Sequence, residues 1–171
     1  MLDKAIYFDI ETTGLDRYRD EIVMLTFLYN GEISYFVKAH SLSVYDIRKI
    51  FNNSSITVSF NGKSFDIPFV EGKLNISLRE KNNVDLLHMA KSCKFKGGLK
   101  KIEKDLNINR LLPELEGKHF PGLWADYFKN KDEILYDIMR CYAVEDIIHL
   151  PKILCCFYNL KVSQLEKPFQ T

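Results

Sequence analysis

Four acidic residues stand inside short segments that are otherwise rich in apolar side chains, and this pattern constrains the fold more than any other feature. The four residues are Asp9, Glu11, Asp66 and Asp146. Acidic side chains scattered over a chain normally face water, but apolar neighbours indicate positions that point toward the interior. Because buried carboxylates need cations or hydrogen-bond donors around them, the fold must supply partners for all four.

The first segment, FDIETTGL, predicts a central β-strand that ends in a turn. Residues 4–10 are rich in β-forming Ile, Tyr and Phe side chains, and residues 12–14 supply the turn. Since residues i and i+2 of a strand project to the same face, Asp9 and Glu11 are expected side by side. Two carboxylates at this spacing suit divalent cations such as Mg²⁺. The alternative is a strand that frays into a polar turn.

The second segment, SFNGKSFD, predicts the end of a strand, a tight turn and the start of a helix. Apolar residues alternate with Thr and Ser over residues 55–60, which is typical of a strand with one buried face. Asn61-Gly62 marks the turn, and Ser64 is a candidate cap for the helix that contains Asp66. An Asp in the first turn of a helix also has a purely structural explanation, since it complements the helix dipole.

The third segment, YAVED, falls in a long amphipathic helix predicted over about residues 132–158, with a bend near Pro151. Tyr142 and Asp146 are four residues apart and therefore share one face of this helix. An Asp on that apolar face needs a partner or a metal ion. Glu145 is the competing acid, since it lies three residues from Tyr142.

Turn signals and hydrophobic periodicity predict a single α/β domain over residues 1–171, with its core at about 4–158 and a short tail from 161. A hairpin closed by an Asn-Gly turn, a crossover helix and a further strand are predicted after the first strand. Their ranges are 21–29 and 32–38 for the hairpin, 43–52 for the helix and 55–60 for the strand. The crossover makes the last strand parallel to the first, which brings Asp9 and Asp66 to one sheet edge.

Taken in order, the three segments resemble the Exo I, Exo II and Exo III motifs of the DnaQ-like 3′–5′ exonucleases, which have a ribonuclease H-like fold. The spacing Tyr-x-x-x-Asp is similar to that of the DEDDy branch and favours Asp146 over Glu145. FNGKSFDIPF, VDLLHMAK and LKKIEKDLNI are also similar to segments of YprB-type ribonuclease H-like domains. The resemblance covers about residues 4–158 and implies a mixed five-stranded α/β sheet, with three antiparallel strands followed by two parallel ones.

The resemblance implies a metal-dependent exonuclease that acts on the 3′ end of single-stranded DNA or RNA. The four acids would ligate two divalent metal ions, Mg²⁺ or Mn²⁺, with Tyr142 beside the attacking water. Electrostatics agrees, since two like charges ~4 Å apart cost about 4 kcal/mol at an effective dielectric of ~20. Four converging carboxylates do not stay ionised together without cations, and two ions ~3.5–4 Å apart suit phosphodiester hydrolysis.

The resemblance also implies a set of substrate contacts in the turns after the first two strands. These residues are Thr12, Thr13, Gly14, Leu15, Asn61 and Phe65. Gly14 lets the backbone approach a nucleotide closely, Leu15 would wedge against a base, and Phe65 would stack under one. Core packing is the alternative for Leu15 and Phe65, and turn chemistry is the alternative for Asn61.

Three further features lie outside the motifs, and the first two have two interpretations each. Asp85 precedes a helix predicted over 87–92 and either caps it, which we favour, or supports the site from behind. The lysine-rich residues 91–104 form either an edge that tracks phosphates or a solvated helix face. Residues 107–130 contain proline and glycine and are predicted to be rich in loops that shape the substrate entrance.

Composition fits a nuclease without requiring one. Lys plus Arg number 24 and Asp plus Glu 23, so the chain is nearly neutral, as an enzyme that grips a few terminal nucleotides can be. No signal-peptide pattern or membrane-spanning stretch is predicted, and the four cysteines match no zinc motif, so a cytoplasmic protein is expected. An inactive nucleic-acid-binding module and a structure-selective endonuclease are the alternatives; retention of all four acids and Tyr142 argues for the exonuclease.

Overall fold

A computed structural model describes residues 4–38, 43–78 and 82–166, which form a five-stranded sheet with helices packed against it. The strands are β1 (Ala5–Thr12), β2 (Ile22–Tyr29), β3 (Glu32–Val37), β4 (Ile56–Ser59) and β5 (Asn82–Asp85). The helices are α1 (Val44–Asn53), α2 (Asp66–Leu74), α3 (Leu86–Ser92), α4 (Leu99–Asp105), α5 (Phe120–Asn130), α6 (Glu133–Ile148) and α7 (Leu150–Leu165). A 3₁₀ turn over Gly117–His119 precedes α5.

The order of the strands in the sheet is β3-β2-β1-β4-β5. β1, β2 and β3 are antiparallel neighbours, whereas β4 and β5 run parallel to β1. The predicted mixed sheet of three antiparallel and two parallel strands is therefore confirmed. Asn30 and Gly31 have positive φ angles of 52° and 80°, as a tight hairpin turn requires, and α1 provides the crossover from β3 to β4.

Alternate side chains of β1 pack against different helices, and this alternation places the acids on one face. Phe8 and Ile10 are buried in a core with residues of α1 and α2. Tyr7 points to the opposite face, where it joins a core with α3, α4 and α7. Asp9 and Glu11 continue the face of Tyr7, so they project toward the helices that follow β5.

β1 is longer than predicted, because the strand beside it sets its end. Residues 12–14 predict a turn, but β2 pairs with β1 as far as Thr12, which lies opposite Ile22. The register shifts between Glu11 and Thr12, so the strand passes through an irregularity before the chain turns. The polar side chain of Thr12 predicts a turn from the local sequence alone. The strand extends through Thr12 because β2, a later segment of the chain, pairs with it.

The single bent helix predicted over 132–158 is in fact two helices, α6 and α7, separated at His149. Pro151 lies in the first turn of α7, where its missing N–H leaves no hydrogen bond unmade. α7 continues to Leu165, so the tail predicted from 161 is helical for its first five residues, and residues 167–171 lie outside the described part. No helix in the three described ranges is both long enough and apolar enough to cross a lipid bilayer.

The prediction that residues 107–130 are rich in loops is wrong for their last eleven residues, which form α5. Pro121 is a loop signal in the sequence, but here it lies in the first turn of the helix, a position that tolerates proline. Trp124 and Tyr127 are buried in a core shared with α6 and β2. Burial of these two aromatic side chains stabilises a helix whose local sequence signals are weak.

Candidate active site

β1 and α6 bring three of the four predicted acids together. One carboxylate oxygen from each of Asp9, Glu11 and Asp146 lies within 4.8 Å of the other two. Asp9 is half-buried, whereas Glu11 and Asp146 are only 7% and 6% exposed. Several carboxylate oxygens at one point form the donor set that Mg²⁺ and Mn²⁺ prefer, so these residues fit a divalent cation.

Asp66 is the first residue of α2 and is electrostatically coupled to this cluster. It is 3% exposed, and its Oδ1 accepts a hydrogen bond from the backbone N–H of Ile10 at 3.1 Å. That bond ties the start of α2 to the part of β1 that carries the acidic pair. The prediction that Ser64 caps α2 is wrong: Phe65 precedes the helix, and its side chain makes no capping hydrogen bond. The carboxylate of Asp66 is instead directed into the sheet.

Asp85 organises the turn that leads from β4 to α2. Its Oδ1 accepts the backbone N–H groups of Asn61 at 2.9 Å and Leu87 at 3.0 Å, and its Oδ2 accepts that of Lys63 at 3.1 Å. Asp85 therefore caps α3, as predicted. The same carboxylate also holds the turn that precedes Asp66, so both interpretations of Asp85 describe part of what it does.

The turn before Asp66 depends on two residues with unusual backbone requirements. Asn61 has a φ of 64°, in the left-handed region that Asn adopts more readily than most residues. A Cβ atom on Gly62 would lie 2.0 Å from Ser59 Oγ, so only glycine fits there. Turn chemistry thus accounts for Asn61-Gly62, and Asn61 also lines the cleft beside the acids.

A cleft of about 500 Å³ opens beside the acids. The predicted substrate contacts that line it are Thr12, Gly14, Leu15, Asn61 and Phe65. Leu15 is 85% exposed, so core packing does not explain it, whereas Phe65 is half-buried and packs partly against the core. The structure does not bring Thr13 into the cleft: its hydroxyl accepts the backbone N–H of Glu21 at 3.0 Å and braces the turn.

Tyr142 lies on α6 one turn before Asp146, is 5% exposed and hydrogen-bonds to the carboxylate of Asp146. The ammonium of Lys100 is 5.1 Å and the guanidinium carbon of Arg110 is 5.5 Å from the centre of its ring. Burial, followed by the charges of Asp146 and Glu11, raises the pKa of the Tyr142 phenol above its usual value near 10. The hydroxyl is therefore protonated at neutral pH and serves as a hydrogen-bonding group rather than as a base.

Arg110 is a site residue that the sequence motifs do not predict. Its Nη2 donates to Asp146 Oδ1 at 2.5 Å, its Nη1 donates to the two oxygens of Glu103 at 2.8 and 3.0 Å, and its Nε lies 3.6 Å from Glu145 Oε2. The side chain of Arg110 is 4% exposed, so three carboxylates share one buried guanidinium. A signal was present, because Arg110 is a charged residue among apolar neighbours, the same pattern that identified the acids.

Glu145 supports the segment after α4 rather than joining the acidic cluster. Its Oε1 accepts the backbone N–H of Leu111 at 2.5 Å, and its Oε2 accepts that of Leu112 at 3.2 Å. These bonds and the nearby Arg110 side chain compensate the charge of a carboxylate that is 4% exposed. Of the two adjacent acids on α6, Asp146 is the one that lies with the acids of β1.

Burial is the main cause of unusual pKa values in the acidic cluster. It raises the pKa of Asp9 and Glu11 well above their usual values, and the neighbouring carboxylates act in the same direction. It raises the pKa of Asp66 to about 7. Burial also raises the pKa of Asp146, although the positive charge of Arg110 opposes the rise. Cations would replace the protons that such a cluster otherwise retains, which supports the fit to divalent metal ions.

The free energy of unfolding of the metal-free protein is expected to fall as pH rises from about 4 to 7. Asp66 titrates at about 7 when folded, against a usual value of 3.8, so in this window the folded protein binds more protons than the unfolded chain. Linkage then gives stability a negative dependence on pH. Urea unfolding in EDTA between pH 5 and 7.5 measures this slope, and Asp66→Asn should make it shallower. An unchanged slope in the variant would contradict the prediction.

Sequence and structure comparisons agree with the architecture. A family model described as the RNase_H superfamily matches residues 6–158. No curated protein matches the sequence. One similar solved structure, described as the apo form of a nuclease, is 14% identical, with a TM-score of 0.66 over 95% of this chain and 75% of that one.

NrnC from Brucella melitensis and an archaeal polymerase share the fold. NrnC with bound Mg²⁺ is 16% identical, with a TM-score of 0.70 over 96% of this chain and 76% of that one. NrnC bound to pGG is 14% identical, with a TM-score of 0.64 over 94% of this chain and 74% of that one. The family B DNA polymerase from the hyperthermophilic archaeon Pyrobaculum calidifontis is 18% identical with a TM-score of 0.67; the match covers 85% of this chain but 23% of the polymerase. At these identities the likeness shows a shared fold alone.

Proposed function

This chain belongs to the RNase_H superfamily, and from that premise we propose that it is a metal-dependent 3′–5′ exonuclease of the DEDDy type. Its substrate is the 3′ end of single-stranded DNA or RNA. The observation that carries the proposal is the cluster of Asp9, Glu11 and Asp146 oxygens within 4.8 Å, lining a cleft with Asp66 and Tyr142. A similar structure binds pGG, which supports a nucleic acid as the substrate class.

The four acids would hold two divalent ions, Mg²⁺ or Mn²⁺. When bound, these ions lower the pKa of water and neutralise charge on the leaving oxygen. The chain prepares for them by burying carboxylates that repel one another: the pKa values of Asp9, Glu11 and Asp66 are all raised. Burial of Glu11, Asp66 and Asp146 also limits their contact with bulk water, which strengthens the charge interactions of these carboxylates.

The remaining groups position the substrate. The protonated Tyr142 hydroxyl, which is hydrogen-bonded to Asp146, orients the attacking water. The exposed Leu15 contacts the terminal base, and the half-buried ring of Phe65 provides a surface on which a base or sugar stacks. Asn61 hydrogen-bonds near the scissile phosphate from the turn that Asp85 holds. Thr12 and Gly14 also line the cleft.

Tyr142→Phe is expected to lower kcat at least tenfold while changing KM and the affinity for Mn²⁺ less than twofold. The change removes the hydroxyl that orients water but keeps the buried ring and all four acids. Steady-state kinetics and Mn²⁺ titration measure the two effects. Tyr29→Phe, which removes a hydroxyl bonded to Asn53 on another part of the sheet, is the matched control. An unchanged kcat in Tyr142→Phe would remove this residue from the mechanism.

A gel assay tests the proposed activity directly. Single-stranded DNA and RNA of one sequence, labelled at the 5′ end, are incubated with Mg²⁺, Mn²⁺ or EDTA. The expected product is a metal-dependent ladder that shortens from the 3′ end, and the preferred strand shows whether the 2′-hydroxyl matters. A circular strand of the same sequence should resist cleavage. Internal cuts in the circle would indicate an endonuclease instead.

An inactive nucleic-acid-binding module is the second candidate, and one observation favours it. The Arg110 guanidinium lies 2.5 Å from Asp146 Oδ1, so the protein supplies a positive charge to the acidic cluster without any metal. A module that binds strands without cutting them would use this charge in place of a catalytic metal ion at Asp146. Retention of a labelled strand in a binding assay, with no cleavage of DNA or RNA under any metal condition, would select this function over the exonuclease.

A further inference from the structure

A second and larger cavity, of about 970 Å³, joins the cleft at the active site. It is bounded by α4 and by the segment that runs from α4 to the 3₁₀ turn. Gly117, Tyr142 and Asp146 line both cavities, so the two meet at the residues proposed to act on the scissile phosphate. We call the larger cavity the α4 groove.

The wall that α4 contributes to the groove is basic. Lys100 and Lys104 both line it and are four residues apart, so they lie on one face of the helix, about 6 Å apart along its axis. Lys100 is held toward the groove by the carbonyl oxygens of Leu112 and Pro113, at 3.4 and 3.3 Å. Lys104 is exposed and forms no ion pair with any residue in the described ranges.

Apart from Asp146, the acidic residues that line the groove are Glu114 and Glu116, on the segment between α4 and the 3₁₀ turn. Glu116 is paired with Lys118 at 2.7 Å, which leaves Glu114 as the acid of that wall without an ion pair among the described residues. Asn107 and Asn109 also line the groove. A chain of phosphates would therefore follow the α4 wall, where positive charge begins beside Tyr142 and continues one helical turn away.

We infer that the α4 groove holds the nucleotides on the 5′ side of the scissile phosphate, with Lys100 and Lys104 contacting their phosphates. The inference rests on the proposed function, since an exonuclease needs one space for the departing nucleotide and another for the strand that remains. The cleft beside Leu15 and Phe65 takes the first, and the groove takes the second. It follows that strands of several nucleotides are better substrates than dinucleotides.

Lys104→Ala tests the groove without touching the acidic cluster. Values of kcat/KM are measured for a single-stranded twelve-nucleotide strand and for a dinucleotide, each over a range of salt concentrations. Loss of one phosphate contact changes the salt slope for a single strand by ~0.7, which corresponds to about fivefold at 0.1 M salt. The ratio of the two kcat/KM values should therefore fall about fivefold, with a shallower salt dependence for the longer strand. Lys49→Ala is the matched control, because Lys49 is an exposed lysine on α1, across the sheet.

The outcomes separate the groove from the activity itself. If the ratio of the two kcat/KM values and the salt slope are the same in Lys104→Ala and Lys49→Ala, the groove does not bind the strand. The proposed exonuclease activity is unaffected by that result. Failure of the wild-type protein to cleave either substrate would refute the proposed function. In that case, fluorescence anisotropy of the labelled twelve-nucleotide strand tests whether the groove binds nucleic acid. Weaker binding by Lys104→Ala alone would support strand binding in the groove, and equal binding by both variants would refute it.

Discussion

Replacing Asp9 with Asn is expected to lower kcat about a thousandfold and, at the same time, to make the metal-free protein more stable. The substitution removes one oxygen ligand from the cluster in which Asp9, Glu11 and Asp146 lie within 4.8 Å. If metal ions at this site provide about 4 kcal/mol of transition-state stabilisation, their loss lowers kcat about a thousandfold. A fall of that size separates a metal-ligating acid from one that merely lies near the substrate.

The gain in stability has an electrostatic cause. Burial and the charges of Asp66 and Glu11 raise the pKa of Asp9 well above its usual value, which means that the folded protein disfavours the ionised form. At neutral pH that penalty opposes folding, and an uncharged amide of the same shape does not carry it. Removing it is therefore expected to increase the free energy of unfolding and the Tm of the metal-free protein.

Thermal unfolding with and without Mn²⁺ measures both sides of this prediction. In EDTA the variant should melt above the wild type, whereas saturating Mn²⁺ should raise the Tm of the wild type more than that of the variant. Asp126→Asn, a change of the same chemistry at an exposed position on α5, should alter neither cleavage nor Tm. Loss of activity together with a lower Tm in EDTA would show that Asp9 is needed for folding, and the ligand assignment would lose its support.

The acidic positions could be predicted because local geometry alone decides them. Asp9 and Glu11 share a face in any strand, and Tyr142 and Asp146 share one in any helix, whatever surrounds them. Because the crossover makes β4 parallel to β1, the carboxyl ends of these two strands meet at one edge of the sheet. Hydropathy around each acid predicts that these faces are buried, and the structure confirms this for Glu11, Asp66 and Asp146, whereas Asp9 is half-buried.

The supporting contacts could not be predicted in the same way, because they join segments far apart in the sequence. Asp85 holds Asn61 and Lys63, which lie more than twenty residues before it. Arg110 reaches Asp146 across 36 residues. Nothing in the periodicity of either segment specifies its partner, since these contacts follow from how the loops close over the sheet. The helical structure of α5 could not be predicted for a related reason. Its side chains are buried by residues distant in the sequence, and this burial outweighs the local proline and glycine signals.

Arg110→Met is expected to destabilise the protein by about 3–5 kcal/mol, the cost of breaking a buried ion pair by removing one partner. The guanidinium is 4% exposed and contacts Glu103, Glu145 and Asp146, so its removal leaves three buried carboxylates without their shared cation. Met retains much of the aliphatic volume, which limits the contribution from lost packing. Urea unfolding at pH 7.5 measures the change. Arg140→Met, which breaks the exposed pair with Asp137, should cost less than about 1 kcal/mol.

A second substitution separates charge from packing as the cause. Glu103 is 1% exposed and accepts both bonds from Arg110 Nη1, with His149 Nδ1 2.8 Å away as its other partner. Glu103→Gln in the Arg110→Met background removes one of the stranded charges while keeping its shape. It should therefore restore about 1–2 kcal/mol of the lost stability, although the same change in the wild type should be destabilising. If it restores nothing, the loss in Arg110→Met comes from packing, and the guanidinium is not what compensates these carboxylates.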